Sequence, residues 1–296
     1  EDDIHGGYYR PMWLSRMRAA LGKDGKPVAW VHTLVGQSIL AGTPFEKMMV
    51  KDGIDATSVE GAADSPYLAA IPAHRVDLHS PASPVTVLWW RSVGHSHTGF
   101  VVESFVDELA HSAGKDPLDY RRELLPQDAR ERKALDLAAE KFGWGKPLPK
   151  GHAAGIAVHA SFGSYVAQIA EVSVEGNGSD KGSIKVHRVV CAIDCGPVVN
   201  PLTVEAQMQS GIVFGLSAAL HSELTFKDGR IEQNNFNDYQ VLRLNEMPKV
   251  EVHIVPSTDK MGGCGEPGTP PIAPAVANAV FALTGKRLRQ LPLRLA

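Results

Sequence analysis

Apolar positions in the first part of the chain alternate as they do in strands. LSRMRAAL and VAWVHTLV, within residues 14–35, predict two strands, and the Asp24-Gly25 turn in GKDGKP joins them as a hairpin. Residues 36–84 carry little periodicity and several Gly and Pro, a pattern of mostly loop. VTVLWWR predicts a buried strand ending at Arg91. Phe100, Val101, Phe105, Leu109 and Ala110 then recur at helical spacing over 98–113, with Gly114 as the stop. Asp116-Pro117 caps a second helix through Leu125, and a third runs from Asp128 to Phe142 and ends at Gly143.

The pattern changes after GWGKPLPKG, 143–151, the best linker candidate. Residues 152–160, 166–175 and 183–193 predict strands, with the loop EGNGSDKG between the last two. Asn200-Pro201 opens a helix to about Ser222, Asp228-Gly229 marks a hairpin, and VEVHIVP is a further strand. The last helix spans Pro271 to Leu283, with Ile272, Val276, Val280 and Leu283 on one face and Gly285 at its end. Strands and helices interleave without regular βαβ alternation, which favours an α+β fold of mixed sheets with packed helices. The linker divides it into domains at 1–145 and 151–296.

Composition narrows the function by exclusion. Hydrophobic residues make 44% of the 296, enough for a sizeable core. Lys plus Arg number 30 against 33 Asp plus Glu, with no long run of one sign, which argues against a nucleic-acid partner. No stretch reaches the roughly 18 apolar residues of a membrane span. Cys191, Cys195 and Cys264 are too few for a disulfide framework and lack paired metal-ligand spacing. The opening EDDIHGGYYRPMW is acidic and aromatic, begins without Met, and reads as the start of a piece of something longer.

Three segments could carry chemistry. In GGCGEPGTPPIAP, 262–274, Glu266 sits in a glycine-proline frame just ahead of a helix; it is either a solvated loop carboxylate or a general base beside a small-molecule site. In DCGPVVNPLTVEAQMQSGIVFGL, Asn200 and Pro201 start a helix whose first-turn amides suit an anion. Gln207 lies two turns in, and Gly211 with Gly215 leaves a smooth strip for another backbone; an ordinary cap, a solvated Gln and glycines packed on a sheet are the plainer alternative. In WWRSVGHSHTGF, Arg91 and Gly94 precede a helix start that also suits an anion or a cofactor oxygen. His95 and His97 form an H-x-H pair, short of the ligand number a zinc site requires.

In this order the segments resemble the molybdenum-cofactor-binding subunit of the xanthine dehydrogenase and aldehyde oxidase family, in particular the isoquinoline 1-oxidoreductase beta-subunit group. RSVGHSH stands where many members have R-G-F-G-x-P-Q, and TGFVVESFVDELAHSAGKDPLDYR is typical of the isoquinoline-type branch. DCGPVVNP with Gln207 matches the D-x-G-x-x-x-N-P helix start and its cofactor-facing glutamine; GGCGEPGTPPIAPAVANAVFALTG matches the loop bearing the catalytic glutamate. Ser96-His97 replaces the family's Pro-Gln, so that glutamine's contact does not carry over. The GGxFG-type loop and G-Q-G segment of the family do not occur in the chain, which the resemblance therefore identifies as the C-terminal part of a longer subunit.

The resemblance implies two subdomains of the molybdenum hydroxylase type, the second carrying the Glu266 loop. It implies molybdopterin cytosine dinucleotide, whose dithiolene holds molybdenum without a protein metal ligand, and 2Fe-2S clusters in a partner iron–sulfur subunit. An upstream half of the same subunit is a second implied partner. The implied reaction hydroxylates an N-heteroaromatic carbon or an aldehyde with oxygen from water. Glu266 is then the catalytic base, and Arg91, Ser92, Val93, Gly94, Asn200, Gln207 and Gly265 are cofactor-binding. Two other readings compete: a noncatalytic scaffold that cannot hold the cofactor alone, and a metal hydrolase built on His95, His97 and acidic residues.

Overall fold

The computed structural model describes residues 2–176 and 182–295, so most of the EGNGSDKG loop lies outside the described residues. In chain order the elements are α1 (Asp2–Gly6), β1 (Trp13–Leu21), β2 (Pro27–Gly36), α2 (Glu46–Met49), β3 (Val50–Lys51), β4 (Ile54–Asp55), β5 (Ala73–His79), α3 (His95–Ser112), α4 (Pro117–Leu124) and α5 (Arg130–Phe142). They continue with β6 (His152–Ser161), β7 (Ser164–Glu175), β8 (Ser183–Asp194), α6 (Pro201–Leu220), β9 (Phe226–Lys227), β10 (Arg230–Ile231), β11 (Lys249–Ile254) and α7 (Ile272–Thr284). This is the expected α+β class, divided into two compact units: Gly7–Pro126, and the chain from Gln127 onward together with the stretch up to Gly6.

In the Gly7–Pro126 unit, β1 and β2 form the expected antiparallel hairpin, closed at Gly22 and Lys26 with Gly25 at φ 80°. β5 completes a three-stranded sheet by pairing parallel to β2, from Ala29–Ala73 to Val35–His79. Residues 36–84 are otherwise largely loop and turn, as expected, and β5 is the strand that the pattern misses. β5 reads AHRVDLH and is largely exposed, so it lacks the one-sided apolar alternation that marks a half-buried strand. VTVLWWR forms no strand; it is half-exposed and makes one isolated bridge, Val87 to Tyr9. Its apolar run reflects side-chain stacking instead, with the Arg10 guanidinium 4.5 Å over the Trp90 ring.

α3 starts three residues earlier than its spacing predicts, at His95, and α4 starts where expected, with Asp116 Oδ1 accepting from the Leu118 and Asp119 amides. The two helices meet around a charge with no exposure at all. Arg121 donates from Nε to Glu103 (2.8 Å), and Glu103 also accepts from the Tyr67 hydroxyl (2.6 Å), so the buried ions satisfy each other.

The other unit is built on a four-stranded mixed sheet, β11-β8-β7-β6, antiparallel except for the parallel β8–β11 pair. β7 and β8 are buried along most of their length because helices α5 and α7 cover them. Gly155 of β6 lets the α7 backbone close in, since a Cβ there would stand 2.2 Å from the Ala279 nitrogen. α5 belongs to this unit although it precedes the expected linker. Arg130 at its start pairs with Asp194 at the end of β8 (2.5 Å), and Arg188 of β8 donates to the Phe142 carbonyl at its other end (3.2 Å). Its buried face, Ala134, Leu135, Ala138, Ala139 and Phe142, lies on β7 and β8. The compact division therefore falls after Pro126, ahead of the 143–151 stretch.

Candidate functional site

Two loops leave the carboxyl ends of neighbouring parallel strands, the position where open sheets with parallel strands bind ligands. One runs from Asp194, the last residue of β8, to Asn200; the other runs from Val255, after β11, to Pro271. They are stitched together by Val255 N to Ile193 O (2.8 Å) and Gly262 N to Cys195 O (3.0 Å). The β6–β7 turn joins them, with Gly263 N donating to Phe162 O (2.8 Å) and the Ser164 hydroxyl to Gly263 O (2.7 Å).

Asp194 is the hub of the first loop. Burial alone would raise its pKa, but hydrogen bonds from Arg130, the Gly196 amide and Ser257, with the Arg130 charge, outweigh that and hold it below the usual carboxylate range. It stays ionised and fixes the turn through the Gly196 amide at 3.1 Å. Asn200 then caps α6, its Oδ1 accepting from Leu202 N (3.1 Å) and Thr203 N (3.4 Å). The first-turn amides that the sequence offers to an anion are thus taken by the cap itself. Asn200 is exposed and serves here as the helix start.

The smooth strip on α6 faces neither a sheet nor solvent. Gly211 stands against Gly268, whose Cα would be 3.2 Å from an added Cβ, and Gly215 stands against Thr269, whose carbonyl would be 2.8 Å away. Gly268 in turn approaches Met208, with 3.1 Å from its own added Cβ to the Met208 carbonyl. The Glu266 loop therefore lies backbone to backbone on the helix that carries Gln207. From the sheet side, Gln168 of β7, fully buried, donates to Gly268 O (2.7 Å), and Thr269 N donates to Glu266 O (3.0 Å). These contacts seat the loop that carries Gly265, exposed, and Glu266, half-buried, against the helix that carries Gln207. The signal for this was present in Gly211 and Gly215, and what the sequence could not say was which backbone they admit.

Arg91, Ser92, Val93 and Gly94 lie in the Gly7–Pro126 unit and form a tight turn. Ser92 and Val93 both take the left-handed region, φ 75° and 48°, which a β-branched residue adopts only under constraint. Gly94 is obligatory, since a Cβ would fall 1.8 Å from the Thr57 carbonyl. The start of α3 is occupied as well: Glu60 Oε1 accepts from Gly94 N at 2.8 Å. Glu60 was not legible as a site residue, because it sits in the stretch without periodicity. Beside the turn lies a small cleft lined by Arg10, Trp13, Trp90, Val93, Gly94 and His97. His97 stacks on Trp13 with ring centroids 4.2 Å apart, and neither ring nitrogen has a hydrogen-bond partner among the described residues. Burial, reinforced by Arg10, His32 and His95, pushes its pKa well down, and burial takes His95 down to about 4, so both imidazoles are neutral.

The H-x-H pair does not build a metal site, for no three His, Cys, Asp or Glu side chains cluster to hold an ion among the described residues. The donor set fits a cofactor that brings its own sulfur ligands: a half-buried carboxylate and an exposed Gly265, with the buried Thr269 hydroxyl of the same loop lacking a hydrogen-bond partner among the described residues. No helix is long and apolar enough to cross a membrane among the described residues.

Comparison with known proteins agrees with this chemistry. The model of the molybdopterin cofactor-binding domain matches residues 104–248. The chain is 32% identical to the beta chain of isoquinoline 1-oxidoreductase from Brevundimonas diminuta, over 99% of its own length and 37% of the relative's. It is 35% identical to a membrane-bound aldehyde dehydrogenase, named for pyrroloquinoline quinone, of Gluconacetobacter polyoxogenes, over 70% of this chain and 29% of that one. It is 30% identical to a nicotinate dehydrogenase subunit of Pseudomonas putida, over 74% and 20%. The chain thus spans well under half the length of these relatives. Among solved structures, quinoline 2-oxidoreductase from Pseudomonas putida 86 superimposes with a TM-score of 0.77 at 13% identity, over 98% of this chain and 62% of that one. Aldehyde oxidoreductase from Desulfovibrio gigas gives 0.73 at 15% identity, over 96% and 48%, so both share the fold. With the motif order, the fold and the cofactor-domain match in agreement, the chain belongs to the molybdenum-cofactor-binding subunits of the xanthine dehydrogenase and aldehyde oxidase family.

Proposed function

We propose that this chain supplies catalytic and cofactor-holding residues to a molybdenum hydroxylase that oxidises an N-heteroaromatic carbon or an aldehyde, with water as the oxygen source. The observation that supports the reading is the close seating of the Glu266 loop, through Gly268 and Thr269, on α6, the helix that carries Gln207. The cofactor, in the cytosine dinucleotide form, supplies the two-electron redox chemistry and the oxygen-transfer centre when bound. Glu266 takes the proton released as oxygen is transferred, and its half-buried position suits a base that must also meet substrate. Gln207 offers a donor and an acceptor on one carboxamide, and Gly265 lets the cofactor approach the backbone. Arg91, Ser92, Val93 and Gly94 add further contacts to the cofactor, while Asn200 positions α6 by capping it.

Each of the two expected subdomains is a cofactor-binding one in this reading. Clusters of the 2Fe-2S type in a partner iron–sulfur subunit would accept the electrons, and an upstream half of the same subunit would supply the family loops that do not occur in this chain. The molybdopterin match over 104–248 favours this cofactor over the quinone named for the Gluconacetobacter relative.

Glu266→Gln tests the reading. In a holoenzyme made in a host that synthesises the cofactor, molybdenum and pterin content stays at wild-type level while kcat falls by roughly a hundredfold or more, the scale of a lost general base. Turnover within a few-fold of wild type sinks the role of Glu266. Absence of molybdenum and pterin from the wild-type protein favours the noncatalytic scaffold instead.

A further inference from the structure

We propose that Glu60 is a positioning residue for the Arg91–Gly94 turn, which it holds through the Gly94 amide. The inference rests on the reading of that turn as a cofactor contact. Glu60 reaches the start of α3 twice: its side chain accepts from Gly94 N at 2.8 Å, and its backbone carbonyl accepts from the Thr98 hydroxyl at 2.8 Å. The opposite side of Gly94 is closed by the Thr57 carbonyl. Thr57 is itself fixed by Asp55, which accepts from its amide (2.9 Å) and hydroxyl (2.6 Å) and is anchored by Ser38. Gly94 is thus gripped between a carboxylate and a carbonyl. Such a grip is what two successive left-handed residues, Ser92 and Val93, need to persist.

A glutamine could accept the same N–H, so the carboxylate must add something else. Burial pushes the Glu60 pKa up to about 7, with Asp64 and Asp55 adding to the rise and the Gly94 and His95 amides opposing it. The titratable groups facing it are Asp64 and Asp55 from its own segment and His95 from α3, whose Nε2 is 3.9 Å away. His95, lowered to about 4, brings no positive charge near neutral pH. The bond to Gly94 is therefore charge-assisted above about pH 7 and an ordinary neutral bond below it, and the strained turn is held more firmly on the alkaline side.

The test uses the polypeptide expressed in a host that makes the cofactor, with molybdenum and released pterin followed over time between about pH 8.5 and about pH 5.5. Wild type loses cofactor faster as pH falls, with a midpoint near 7. Glu60→Gln gives a rate that does not change with pH, and Glu60→Ala loses cofactor roughly tenfold faster than wild type at about pH 8. Circular dichroism checks that each variant is folded; if Glu60→Ala is not, the glutamine profile decides. A Glu60→Gln profile that tracks wild type overturns the proposal, as does a folded Glu60→Ala that keeps cofactor as long as wild type. Arg91→Ala separates the two levels. If Arg91→Ala sheds cofactor while the Glu60 variants behave as wild type, only the role of Glu60 fails; if Arg91→Ala and Glu60→Ala both leave retention unchanged, the turn is no cofactor contact.

Discussion

The Arg91–Gly94 turn and the Glu266 loop are held by different physics. The loop is held by shape, with Gly268 and Thr269 against Gly211 and Gly215 and main-chain bonds to Cys195 and Phe162. None of those contacts titrates. The turn holds two residues in the left-handed region and depends on a carboxylate whose charge changes near neutrality. The two regions should therefore answer differently to mutation and to pH.

The largest break in that comparison is steric. Gly94→Ala drives a Cβ into the Thr57 carbonyl at 1.8 Å and against the Glu60 side chain at 2.9 Å, and should cost at least about 3 kcal/mol of unfolding free energy. Gly215→Ala meets the Ile272 methyl at 2.7 Å and the Thr269 carbonyl at 2.8 Å, a milder overlap that should cost about 1–3 kcal/mol. Denaturant unfolding of both variants checks the order; equal and negligible losses would mean that neither backbone approach is as close as described.

A second contrast is in sign. Glu60 is raised in the fold, so folding favours its protonated form. For the fold as a whole that advantage is full below the unfolded carboxyl pKa of 4.5 and is lost as pH rises to about 7, because the cost of burying the charge exceeds what the Gly94 bond gains on ionisation. Glu60→Gln should therefore raise stability at about pH 8 by roughly 1–3 kcal/mol and flatten the slope between those values. A variant less stable than wild type at that pH would contradict the burial cost. The smallest effect is Asn200→Ala, which frees the Leu202 and Thr203 amides and should cost about 1 kcal/mol without altering that pH slope.

Local chemistry was legible and distant partners were not. Asp116-Pro117, Asn200-Pro201 and the left-handed glycines 143 and 285 mark helix ends because caps act within a few residues. β5 escaped notice because its partner lies about forty residues away and its faces are too exposed to print a pattern. α5 looked like the end of the first domain because Arg130 and Phe142 find Asp194 and Arg188 only in three dimensions. Glu266 and Gln207 stood out by family resemblance. The contacts that seat their segments run between glycines, which carry no side chain from which to read a partner, and Glu60 acts on Gly94 from outside every motif.

The parallel pairing of β11 with β8 has a kinetic consequence. Its partners, such as Lys249 and Arg188, are about sixty residues apart, and α6 lies within that span. Closing such a loop costs roughly 3 to 4 kcal/mol in chain entropy before any strand pairing repays it. α6 and the hairpins can form early, but the frame for Glu266 exists only once β11 has docked. During refolding, recovery of the site should therefore trail recovery of helix content, and the site becomes a reporter of the last topological step.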